Sequence, residues 1–107
     1  DKAALAVGFG LDQVRHIPVD EKFRMVPAAL EAAIEADRDA GLTPVMVCAT
    51  IGTTSTTSVD PVRDIAEICE HMGIWLHVDA AYAGPAAALP EMREEFEGWE
   101  RADTIVL

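Results

Sequence analysis

The sequence reads as an α/β fold, a mainly parallel sheet with flanking helices, on three observations. Two short apolar runs, Val45 to Ala49 and Ile74 to Asp79, have the length of strands buried on both faces of a parallel sheet. Between them Val62, Ile65, Ala66, Cys69 and Met72 form one apolar stripe at helical spacing. Strand, helix and strand in so short a stretch make a βαβ unit, whose two strands are parallel.

Taken in order, residues 2–9 are Ala-rich and are expected to end a helix, with Gly8 and Gly10 as stop signals. Val14 to Val19 reads as a short strand. From Pro27 to Ala40, apolar Leu30, Ala33 and Ile34 recur among Glu31, Glu35 and Asp37, which predicts a helix with proline in its first turn and Gly41 as its stop. The first buried strand runs into a polar loop, Gly52 to Ser58. Asp60 and Pro61 are expected to cap the next helix, which stops at Gly73 before the second strand. Thr104 to Leu107 reads as a further strand.

No internal repeat, linker or low-complexity tract divides the 107 residues, so they are treated as one unit. The chain starts without Met and stops on an apolar strand, so it is expected to be an incomplete segment of a larger domain. A formal charge of −11 argues against nucleic acid and anionic membrane partners, because phosphate backbones are bound by Lys and Arg. Neither a spanning apolar run nor a signal peptide is present, which makes cytoplasmic residence the expectation. Cys48 and Cys69 lack the spacing of a metal knuckle or redox pair and read as buried, reduced thiols. Glu91, Glu94, Glu95, Glu97 and Glu100 read as a solvated helix face.

Ligands of open parallel sheets bind beyond the carboxyl ends of the strands, where the Thr-rich loop and Asp79 fall. His77, Asp79 and Ala81 alternate along what reads as extended chain, so they are expected on one side. Asp79 follows an apolar strand, and a carboxylate there calls for a cationic partner. Plainer readings stand beside this one. An acid at a strand end also caps the following turn, a histidine on a strand is often hydrogen-bonded core, and a Thr/Ser run can merely satisfy its own backbone. That run lacks the GK[ST] ending of a phosphate-binding P-loop.

The spelling of these segments carries more. Ala49-Thr50-Ile51-Gly52-Thr53-Thr54-Ser55, then Val59-Asp60-Pro61, then Ile74-Trp75-Leu76-His77-Val78-Asp79-Ala80-Ala81-Tyr82-Ala83-Gly84 resembles the group II pyridoxal-phosphate-dependent decarboxylases. Within that group the Tyr-Ala-Gly ending is most similar to aromatic-L-amino-acid decarboxylases. The likeness runs the length of the chain, and its specific part is residues 49–84.

The resemblance implies part of the large, coenzyme-binding domain of a fold-type I enzyme. It also implies pyridoxal 5'-phosphate as cofactor, an amino acid as substrate and a homodimer as the intact enzyme. The match at Asp79 would pair with the protonated pyridine nitrogen, the match at Ala81 would lie against one ring face, and Thr54 would belong to the polar network around the ring. His77, two residues before the acid, would support them. An opposite charge about 4 Å away is worth roughly 4 kcal/mol at an effective dielectric near 20, or about 3 pKa units. That suffices to keep a weakly basic pyridine protonated.

The family's Schiff-base lysine, in an Asn-Pro-His-Lys segment, would come after Leu107, and neither Lys2 nor Lys22 has such a context. The segment alone is therefore expected to be inactive, with the parent converting an aromatic L-amino acid to its amine and carbon dioxide. Glutamate or diaminobutyrate decarboxylases, aldehyde synthases and desulfurases of the same coenzyme fold are the alternatives. From another class, a non-catalytic small α/β binding module would unfold cooperatively by itself.

Overall fold

The computed structural model describes residues 1–107. Its centre is a three-stranded, all-parallel sheet in the order β1-β2-β3, formed by Met46–Thr50, Trp75–Asp79 and Thr104–Val106. Three helices accompany it: α1, Lys2–Ala6; α2, Pro27–Asp39; and α3, Val62–Met72. The α/β reading and the βαβ unit are thus observed.

Helix α2 begins with Pro27, whose missing N–H and fixed φ suit a first turn, and it buries Leu30 and Ile34. Helix α3 buries Val62, Ile65, Ala66 and Cys69, with Met72 half-buried at its end. It stops at Gly73, which takes φ 64°, while the Ile74 N–H donates back to the Cys69 carbonyl over 2.9 Å. A residue with a Cβ would be strained there, and that turn sends the chain directly into β2. These helices close over Val47 and Ala49 of β1 and Leu76 and Val78 of β2, forming one core with Ile51, Ala80 and Phe96.

Several expectations are corrected. Val14 to Val19 forms no strand: only Val19 makes an isolated antiparallel bridge, to Met25. Its neighbour Pro18 cannot donate to a ladder. The Asp20 carboxylate organises the reversal instead, accepting the backbone N–H groups of Lys22 and Arg24 at 2.8 and 3.0 Å. Led by the Arg24 backbone, these donors hold its pKa down at about 2.

Strands β1 and β2 are covered on one face only, and β3 is exposed along its whole length. Along β1, Val47 and Ala49 are buried while Met46 and Cys48 are exposed, and Trp75 is exposed on β2. Cys69 is buried as expected, but Cys48 lies on the open face. Desolvation first, then the charges of Asp79 and Asp60, push the Cys48 thiol pKa up, opposite to what a nucleophilic cysteine requires. Asp60 does not cap α3, whose N-cap is Pro61 without a side-chain bond. Its two oxygens accept the Met25 N–H at 2.6 Å and the Thr50 N–H at 2.8 Å, joining the reversal, the end of β1 and the start of α3. The acidic stretch has its five glutamates exposed as expected, but its helical part is 3-10, Pro90–Phe96 and Trp99–Arg101, with Phe96 buried edge-on to Trp99 at 4.8 Å.

Candidate active site at the carboxyl ends of the strands

The three strands end together because backbone bonds hold them there. Ile51 donates to the Asp79 carbonyl at 2.9 Å, and Ala80 donates to the Val106 carbonyl at 3.0 Å. In register, Thr50, Asp79 and Val106 form the last row across the sheet, and Cys48, His77 and Thr104, two residues back, form the preceding row on the same face.

Period-two alternation places His77 and Asp79 together on the open face, half-buried between buried Leu76, Val78 and Ala80. The alternation stops there. β2 ends at Asp79, and Ala81 is reached through a turn, because Asp79 Oδ1 accepts the Ala81 N–H over 3.1 Å and Gly84 donates to the Ala80 carbonyl at 2.6 Å. Ala81 is exposed beyond the acid rather than one further step along a strand. The plain reading of Asp79 as a turn cap is therefore true of one oxygen. The other has no hydrogen-bond partner in the chain, and none of the chain's ion pairs includes Asp79.

The Thr-rich loop divides in the same way. Thr53 Oγ1 lies 2.6 Å from Thr56 Oγ1 and 3.2 Å from Ser58 Oγ, and Thr57 Oγ1 donates to the Thr56 carbonyl at 2.7 Å. Those hydroxyls satisfy the loop. Thr54 is exposed, and its hydroxyl has no partner in the chain. Gly52, at φ 76°, brings this loop onto the turn after β2, since a Cβ at 52 would collide with Ala83. The structure brings the bases of the two segments together, with no hydrogen bond between Thr54 and Asp79, Ala81 or His77.

One residue of this face escaped the sequence reading. Thr104 stands beside His77, with Oγ1 2.9 Å from His77 Nδ1 and 3.2 Å from Trp75 Nε1. The strand pattern at 104–106 was visible, but its register against β2 was not.

The donor set fits a flat ring with a protonated nitrogen. A carboxylate oxygen is left without a cation, the residue beyond it carries only a methyl group, and a free hydroxyl sits on the adjoining loop. The model of the pyridoxal-dependent decarboxylase conserved domain matches residues 1–107. The chain belongs to that family.

Among curated relatives, this pyridoxal-dependent decarboxylase segment is 49% identical to tyrosine decarboxylase of Oryza sativa, over 97% of the chain and 20% of that protein. It is 47% identical to histidine decarboxylase of Mus musculus, over 98% of the chain and 15% of that protein. Among solved structures, Oryza sativa TDC with PLP and tryptamine superposes with a TM-score of 0.92 at 46% identity, covering 97% of this chain and 22% of that one. Mouse CSAD gives 0.94 at 39% identity, over 97% and 22%. The decarboxylase segment thus spans about a fifth of the length of the relatives it matches. No helix in it is long and apolar enough to cross a membrane.

Proposed function

We propose that these residues form the ring-binding part of a pyridoxal-phosphate-dependent decarboxylase acting on an aromatic L-amino acid, with the amine and carbon dioxide as products. The observation that carries this is the Asp79 carboxylate at the carboxyl end of β2, with one oxygen tied to the Ala81 N–H and the other uncommitted. When bound, pyridoxal phosphate supplies a sink for the electron pair that departing carbon dioxide leaves on the substrate α-carbon.

Asp79 keeps the ring nitrogen protonated by opposite charge. The turn that Asp79 itself caps sets Ala81 beyond it, where a methyl offers a flat apolar floor. Thr54 contributes its free hydroxyl to the polar surroundings of the ring, and His77 supports the acid from one row back. Lys2 and Lys22 lie far along the chain from this end, in the N-terminal segment, so the 107 residues alone are expected to turn over no substrate. A homodimeric, cytoplasmic parent belongs to the same proposal. The aromatic preference is supported by the Tyr82-Ala83-Gly84 spelling and by relatives named for tyrosine and tryptophan.

The test is the full-length protein, expressed with pyridoxal phosphate and given tyrosine, tryptophan, histidine, glutamate or diaminobutyrate. Amine from the aromatic pair is the expected product. Aldehyde would point to the chemistry for which the Petunia hybrida phenylacetaldehyde synthase relative is named, and amine from glutamate or diaminobutyrate alone would overturn the aromatic assignment. Asp79→Asn should retain coenzyme while turnover falls by about two to three orders of magnitude, the scale of one lost ring-nitrogen ion pair. Turnover unchanged in that variant rules out the role given to Asp79.

A further inference from the structure

Thr104 joins Trp75 to His77 on the open face. An indole N–H can only donate, so Trp75 occupies a lone pair of Thr104 Oγ1, 3.2 Å away. The hydroxyl has a single hydrogen, and the one acceptor within reach is His77 Nδ1, at 2.9 Å. The chain of donors therefore runs from Trp75 N–H to Thr104 O–H to His77 Nδ1. All three groups are satisfied only when the neutral imidazole carries its proton on Nε2. With the proton on Nδ1, Thr104 would receive two N–H donors and its own hydrogen would have no partner in the chain.

We propose that Thr104 is a positioning residue that, with Trp75, sets His77 in the tautomer presenting an Nε2–H donor, rather than a lone pair, to the face His77 shares with Asp79. A fixed donor, rather than a lone pair, then stands on the open face one side-chain step before the Asp79 carboxylate. This rests on the ring-binding role given to Asp79 above.

The experiment uses the full-length protein freed of coenzyme and titrated with pyridoxal 5'-phosphate. Thr104→Val keeps the side-chain shape and removes the hydroxyl, while Thr104→Ser retains it. The expected result is an apparent Kd about tenfold weaker in Thr104→Val and restored to within about twofold in Thr104→Ser. In protein labelled with nitrogen-15 histidine, the His77 signals are assigned by their loss in His77→Gln. They should report an unprotonated Nδ1 in the wild type and a tautomer mixture in Thr104→Val and in Trp75→Phe.

A protonated Nδ1 in the neutral wild-type imidazole overturns the inference, as does a Thr104→Val protein whose Kd matches wild type. If the wild type binds coenzyme tightly while Thr104→Val is unchanged, the inference fails and the functional reading survives. If the wild type does not bind coenzyme, the functional reading fails and the role toward Asp79 falls with it, whatever the tautomer.

Discussion

Asp60 holds two backbone N–H groups from segments 35 and 10 residues away, Met25 and Thr50, with one oxygen each. Removing both acceptors leaves two partly covered donors without partners. Asp60→Ala should therefore lower stability by about 2–3 kcal/mol, and Asp60→Asn, which keeps one acceptor oxygen, by about half as much. Chemical denaturation of the full-length protein checks the order, and equal loss in the two variants would refute it. At this scale the sequence spoke unevenly. Asp79 was legible because a carboxylate after an apolar strand needs compensation, and Thr54 because its phrase matched a family. Thr104 was not, because its partners Trp75 and His77 lie 29 and 27 residues away and only strand register puts them beside it. Asp60 was read as a helix cap because Asp before Pro often is one, yet long-range donors claimed both its oxygens.

Among elements, α3 was the plainest in the sequence: its stripe, its stop at Gly73 and the strand that follows are all present. Ile65 is fully buried between that helix and the sheet, so Ile65→Ala should cost about 2–5 kcal/mol, and Ile65→Val about 0.5–1.5 kcal/mol. A loss below about 1 kcal/mol for the alanine variant, measured by denaturation, would contradict the packing. The segment 14–19 misled because β-favouring residues need a ladder partner, and none but Met25 is offered. The acidic 3-10 helix shows a related limit. Spacing predicted a helix with a wet face, which is present, but that its turns are 3-10 and that Phe96 enters the core edge-on to Trp99 could not be read from it.

In the molecule as a whole, α3, with α2 packed on it, closes one face of β1 and β2, and the other face is open, with Met46, Trp75 and Val106 among its exposed apolar side chains. Continuous apolar runs such as Val45 to Ala49 suit strands covered on both faces, and this chain covers one. The 107 residues alone should bind a hydrophobic dye and associate as concentration rises. Sedimentation as a monomer across the micromolar range without dye binding would instead favour a free-standing module. By itself the sequence determined the βαβ unit, the buried stripe of α3, the family, and the candidate Asp79, because these depend on spacing along the chain and on side-chain chemistry. Only the tertiary structure decided which face stays open, which Asp79 oxygen is committed, what Asp60 bonds, and that Thr104 meets His77. Each of those depends on register and packing between segments distant in sequence, where local pattern carries no information.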